Sequence, residues 1–173
     1  SIEVEDFGRG CPVDYNQREK KYNWELVYCE LYAGGKYNNN SGDNYEYSLG
    51  LNGLGACATQ YSSEFMDVEV FRDGYKYDLH FEKGRNVGGL KKEETKQKKT
   101  GTKTHWRPDL EVFTDIKIEN EYLEDVLKKQ AVVNPNITFI LRIQRENNSF
   151  EEKTFYYENG IADYVAEIAG EKP

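Results

Sequence analysis

Hydrophobic and polar positions alternate most cleanly in "FMDVEVFRDGYKYDLHFEKG", from Phe65 to Gly84. A period of two puts one set of side chains on a buried face and the other in solvent, so this stretch predicts two strands. They are joined at Arg72-Asp73-Gly74, where Asp-Gly supplies the positive φ angles of a tight hairpin turn. "SIEVED" alternates in the same way and predicts a strand over residues 2–6, closed by the turn-prone "FGRGCP". "GTKTHWRP" predicts another strand, ended by Pro108. "ITFILRIQ" and "EKTFYYENG" predict a second hairpin. Helical spacing appears in "NWELVYCELYA", Asn23 to Ala33, with Asn23 as its expected cap, and in the run from Leu54 to about Ser62. It returns in "IENEYLEDVLKKQAVVN", through Leu123, Val126, Leu127 and Val132, and in the closing "GIADYVAEIAG". The polar "GGKYNNNSGDNYEYS" and the charged "GLKKEETKQKKT" read as connections. This order of elements implies an α+β fold, a two-layer sandwich of one mixed, mostly antiparallel sheet with helices on one face.

Bulk composition narrows this picture. A chain of 173 residues is enough for one domain with a real core, and two would be crowded. A formal net charge of −8 argues against a stand-alone nucleic-acid or membrane binder, which would need clustered Lys and Arg. No apolar run approaches the roughly 18 residues of a membrane span, and a signal peptide is not expected. Cys11, Cys29 and Cys57 lack metal-site spacing and read as reduced thiols, so the expected location is cytoplasmic. The sequons at Asn39, Asn136 and Asn147 are then chance matches. Ser1 begins what reads as a strand already under way, and the expectation is a chain lacking its N-terminal segment.

Candidate chemistry gathers in the first half. Asp6 closes a strand beside Gly8, Gly10 and Pro12, "AGGK" follows the first predicted helix, and Gly50-Leu51-Asn52-Gly53-Leu54-Gly55 opens the second. Each has an ordinary explanation as a turn or a helix cap. A glycine-rich entry to a helix is also suited to an anion, because unpaired amides and the helix dipole both favour negative charge there. The spacing matches neither the P-loop nor the dinucleotide fingerprint. His80 and His105 fall in predicted strands without a Cys or a second His at ligand spacing, and read as structural or surface residues. "KKEETKQKK", Lys91 to Lys99, carries five lysines among nine residues and reads as a solvated loop.

Taken together, "VEDFGRGCPVD", "LYAGGKYNNN", "GLNGLGACATQ", "KTGTKTHWRPDLEVF" and "FYYENGI" resemble, in collinear order, the ATPase domain of the B subunits of bacterial type II topoisomerases. That family shares the Bergerat ATP-binding fold of the GHKL superfamily. The resemblance implies a partial domain of this kind over 1–173, with a phosphate-loop half over 1–62 and the sheet and C-terminal helices over 63–173. It implies that Asp6 reads the adenine amine through a charge-assisted hydrogen bond. Gly10 would let the base and an ordered water approach the backbone, with Arg9 and Pro12 walling the pocket and Thr102 sharing that water. Lys36 would reach the phosphates, and Gly50, Leu51, Asn52, Gly53, Leu54, Gly55 and Ala56 would wrap them with backbone amides. Arg72 would stand at the outer rim.

Phe7, Cys11 and Asn52 depart from the family pattern; Asn52 stands where histidine is usual and can still donate to a phosphate. In the family, the glutamate that activates water and the asparagine that holds Mg2+ lie on a helix before the strand that opens this chain. The expectation is therefore a nucleotide-binding chain without a catalytic residue or metal ligand of its own, which binds ATP weakly and does not hydrolyse it. In the complete enzyme the resemblance implies ATP-driven dimerisation, DNA, the A subunit and Mg2+ as partners. A non-enzymatic interaction module that keeps the fold without nucleotide is the alternative; a tyrosine-rich carbohydrate-binding module is a third.

Overall fold

A computed structural model describes residues 1–33 and 53–170. In chain order the elements are β1 (Ile2–Glu5), β2 (Tyr15–Asn16), β3 (Lys21–Tyr22), α1 (Asn23–Cys29) and α2 (Gly55–Tyr61), then β4 (Ser63–Arg72), β5 (Tyr75–Glu82), β6 (Arg85–Asn86), β7 (Lys91–Glu94) and β8 (Gly101–Pro108). They are followed by α3 (Asn120–Val133), β9 (Phe139–Gln144), β10 (Phe150–Phe155) and α4 (Ile161–Ala169). The fold is α+β, and every strand pairing among the described residues is antiparallel. The chain forms two compact units, residues 1–116 and 117–173.

The first unit is built on a sheet in the order β1-β8-β4-β5-β6, with β7 also on β5. Its centre is the predicted β4–β5 hairpin. Asp73 and Gly74 take φ of 53° and 80°, the left-handed conformations that a two-residue hairpin turn demands. Alternation sends Met66, Val68 and Val70 of β4, and Tyr77, Leu79 and Phe81 of β5, into the core with Val13 and Tyr28. Phe81, at 1% exposure, packs against Trp24 and Tyr28 of α1, with ring centroids 6.1 and 5.8 Å away.

The opposite face of the sheet is charged and largely self-paired. Lys103 meets Glu3 at 2.9 Å, and Lys76 meets Asp78 at 2.8 Å and Glu69 at 3.1 Å. His80 lies between Asp67, 2.6 Å from Nδ1, and Glu82, 3.2 Å from Nε2. A cavity of about 530 Å³ opens on this face, lined in part by Asp67, Asp78, His80 and His105.

His80 makes stability pH-dependent. Hydrogen bonds to Asp67 and then Glu82 raise its pKa above the ordinary 6.5. A raised folded pKa means that the stabilisation is fully present below pH 6.5 and is lost as pH rises through the folded value. The pair is half exposed, so the effect is small, about 0.2–1 kcal/mol. Thermal melts between about pH 5 and pH 8, where histidine titrates, are expected to show this loss in the native chain and a flatter profile in His80→Gln. Parallel profiles would remove His80 as the cause.

Three local expectations are corrected. Asn23 is not the cap of α1: Tyr22 is, and the Glu25 carboxylate accepts the Tyr22 amide at 2.8 Å. Asn23 is instead buried, accepting from Asn16 and donating to Asp14 through its side chain. The helix ends at Cys29 rather than Ala33, because Glu30 is extended and Tyr32 takes a φ of 58°. Residues 91–94 of the charged connection form β7, registered on β5 from Tyr75↔Glu94 to Asp78↔Lys91. Its four residues are exposed and charged, as suits an edge strand that must not recruit another chain.

In the second unit, β9 and β10 pair in register from Phe139↔Phe155 to Gln144↔Phe150 and make a two-stranded sheet of their own. Lys153 reaches Glu124 of α3 at 2.6 Å. Lys128 of α3 pairs with Glu167 of α4, which also accepts the Tyr157 hydroxyl at 2.6 Å. Ala131 and Val132 of α3 are buried, whereas Ile161, Val165 and Ile168 of α4 are exposed.

Candidate functional site

The site grows from the end of β1. The Asp6 amide donates to the Thr102 carbonyl at 2.9 Å, which carries the β1–β8 ladder one residue beyond the strand. The Asp6 side chain then turns the chain, its Oδ1 accepting the Gly8 amide at 2.8 Å. That bond leaves Oδ2 as an acceptor on an exposed residue.

Gly10 follows with φ of 82°. A Cβ there would stand 2.8 Å from the Phe71 carbonyl oxygen and 3.0 Å from Val70 Cγ1, so only glycine lets the turn lie on the end of β4. Two bonds hold the turn from either side. The Cys11 amide donates to Thr102 Oγ1 at 2.8 Å, and Arg72 Nη1 donates to the Gly10 carbonyl at 3.1 Å. Arg72 Nε also meets Asp73 at 3.2 Å. The Thr102 hydroxyl still carries a proton to donate. Pro12 leads directly into Val13, which at 1% exposure anchors the segment in the core.

Asp6, Gly10, Arg72 and Thr102, distant in sequence, therefore converge, and Arg9 and Pro12 lie within the same turn. Gly53, with φ of 61°, and Leu54 precede α2, while Gly55 and Ala56 begin it. Among the described residues, a Cβ on Gly55 would meet nothing within 4 Å. Cys57 and Gln60 bury the other side of α2. Lys36, Gly50, Leu51 and Asn52 lie outside the described residues.

Gly101 belongs to the site and is not singled out by sequence reasoning. Its φ is 138°, and a Cβ would fall 2.0 Å from the Asp6 carbonyl oxygen. The signal was present in "KTGTKT", but a glycine before a strand reads as punctuation. Its need for a bare backbone arises only because β1 is laid against it.

Burial pushes the Cys11 thiol up to about 11, against the Tyr28 hydroxyl and Arg72, which lower it. Cys29 is likewise pushed up to about 11 by burial. Neither is a thiolate nucleophile at neutral pH. Among the described residues no group of three or more His, Cys, Asp or Glu is placed to hold a metal ion, and no helix is long and apolar enough to cross a membrane.

No family model matches the chain. It is 37% identical over 174 residues, 100% of its own length, to the B subunit of DNA topoisomerase 4 from Escherichia coli, and covers 27% of that protein. It is 37% identical over 167 residues to the B subunit of DNA gyrase from Treponema denticola, covering 95% of this chain and 25% of that one. The chain thus spans about a quarter of the length of these relatives. Among solved structures, the 43K ATPase domain of Thermus thermophilus gyrase B in complex with an aminocoumarin matches with a TM-score of 0.76 and 26% identity, over 98% of this chain and 41% of that one.

Proposed function

Because the chain is homologous to the ATPase domain of DNA gyrase and topoisomerase IV B subunits, we propose that it is an ATP-binding domain of a type II topoisomerase B subunit and that its base-reading site is the turn between Asp6 and Pro12. One observation carries this reading: Asp6, Gly10 and Thr102 meet at the β1–β8 edge, with Arg72 donating to the Gly10 carbonyl. The donor set suits adenine. A free carboxylate oxygen accepts from an exocyclic amine and would be repelled by a guanine carbonyl, and a hydroxyl beside it can hold a bridging water. Gly53, Leu54, Gly55 and Ala56 supply backbone for the phosphates at the start of α2, continuous in sequence with Gly50, Leu51 and Asn52; Lys36 adds positive charge.

Magnesium, when bound, would neutralise phosphate charge; the described residues hold no cluster of three carboxylate, His or Cys side chains fit to bind it. Phosphoryl transfer depends on positioning and charge neutralisation around an activated water. Among residues 1–173 the family resemblance assigns neither the glutamate that activates that water nor the asparagine that holds the metal. A polypeptide of these 173 residues therefore binds ATP weakly and turns it over little or not at all. In a full-length B subunit the domain binds ATP, pairs with a second copy and works with the A subunit on DNA, in the cytoplasm.

Calorimetric titration with ATP, beside a phosphate-release assay on the same sample, tests both parts. Binding without release is the expected result. No heat with ATP or with an adenine-site inhibitor would replace this reading by that of a non-enzymatic interaction module. Release that survives Asp6→Asn would overturn the assignment of the site.

A further inference from the structure

Phe71 is 7% exposed, although alternation along β4 puts it on the charged face with Asp67 and Glu69. Lys99 reaches it there. Its Nζ stands 4.0 Å from the centroid of the Phe71 ring and 3.4 Å from Glu5 Oε1. Glu5 is the last residue of β1, and Phe71 the last but one of β4. Between them runs the start of β8, where Gly101 is registered on Phe71 and Lys103 on Glu5. Gly101 must stay bare, because a Cβ there would meet the Asp6 carbonyl. It therefore offers no side chain to tie the two flanking strand ends together, and the Lys99 side chain does so from two residues upstream. Lys99 is the last lysine of the "KKEETKQKK" run, and its ion pair and ring contact set it apart from a freely solvated residue.

Both strand ends lead into the proposed base site. Asp6 follows Glu5, and its amide donates to the Thr102 carbonyl at 2.9 Å. The Phe71 carbonyl oxygen is 2.8 Å from where a Gly10 Cβ would stand, and the next residue, Arg72, donates to the Gly10 carbonyl at 3.1 Å. A lysine fixed to Glu5 and Phe71 thus sits between the strand that carries the Asp6 carboxylate and the strand on which the Gly10 turn lies.

We propose that Lys99 is a positioning residue for base recognition: from the charged face it couples the end of β1 to the end of β4, and so sets the Asp6 carboxylate against the Gly10–Pro12 turn. The role rests on the reading of this turn as the base site. The ammonium attracts the Glu5 carboxylate and the face of the Phe71 ring at once. Each contact is weak where water reaches it, but both fall on one side chain, so a single substitution removes them together. Base reading by a single carboxylate depends on alignment, so slack between the strand ends loses selectivity before it loses all affinity.

Two readouts on the intact chain test this, the first without ligand. Lys99→Met keeps an apolar stem and removes the charge, whereas Lys99→Arg keeps the charge. In Lys99→Met, exchange of the Asp6 and Cys11 amides, both held by Thr102, is expected to speed up about fivefold, the combined weight of an exposed ion pair and an exposed cation–π contact on local opening. Lys99→Arg is expected to keep the native rates. Glu5→Gln removes the ion pair alone; it is expected to give about a twofold change and to add nothing to Lys99→Met. Native rates in Lys99→Met, fast exchange in Lys99→Arg, or additive effects in the double variant would overturn the proposal. The second readout is the ratio of affinities for ADP and for inosine diphosphate, which lacks the exocyclic amine. The ratio is expected to fall about fivefold in Lys99→Met and to stay native in Lys99→Arg. An unchanged ratio in Lys99→Met would overturn the role in base recognition. If the native chain bound neither nucleotide, the ATP-binding reading would fail, while the exchange rates would still decide whether Lys99 joins the strand ends.

Discussion

Asp6→Asn is expected to weaken ATP binding by about 1.5–3 kcal/mol, roughly 10- to 150-fold, the worth of a hydrogen bond to a charged group. The substitution is informative because it separates two jobs of one side chain. Asparagine retains an oxygen to accept the Gly8 amide, which Asp6 Oδ1 does now at 2.8 Å. The turn and the β1–β8 ladder should therefore survive, and the melting temperature should change little. What disappears is the second carboxylate oxygen and the charge, replaced by an amide donor facing another donor. Titrations of native and variant chains with ATP decide it. Equal affinities in two equally stable proteins would mean that Asp6 does not read the base.

Gly101→Ala is expected to damage stability and binding together. The added methyl would fall 2.0 Å from the Asp6 carbonyl oxygen and 3.0 Å from Phe7 Cα, both backbone atoms that cannot move aside as a flexible side chain would. The φ of 138° is also a conformation that alanine rarely adopts. Backbone strain of about 1–3 kcal/mol and loss of the Asp6–Thr102 bond, about 0.5–1.5 kcal/mol, together predict a destabilisation of about 1.5–4.5 kcal/mol. Because β1 must shift to relieve the contact, Asp6 leaves its place beside Thr102 and nucleotide binding is expected to vanish. Denaturant melts and the same titration measure the two effects. A variant with native stability and native affinity would contradict the packing of Gly101 against β1.

The contrast between these residues explains what could be read in advance. Asp6, Gly10, Arg72 and Thr102 were singled out through the family resemblance of the short motifs that carry them, and the structure places them around one turn, their roles being left to titration. The roles given to Gly53, Leu54, Gly55 and Ala56 remain expectations for titration to test. Gly101 was not legible. It is constrained by a strand that lies far away in sequence.

The same division runs through the fold. The β4–β5 hairpin, α2, α3, α4 and the β9–β10 hairpin follow from period and turn chemistry, which act between near neighbours and need no partner to be recognised. Strand β7 did not, because charged residues carry no strand signal, and its extended form comes from the ladder that β5 offers. Asn23 carried the residue type of a cap, but Asp14 and Asn16 compete for its side chain and bury it. The sequence by itself determined the order and type of most elements and which residue types stand in the turn between Asp6 and Pro12. Only the tertiary structure decided where α1 stops, which strand each edge joins, and how Thr102, separated by 91 residues from Cys11, comes to hold it. Such contacts arise when the sheet buries its apolar face, and no local pattern encodes them.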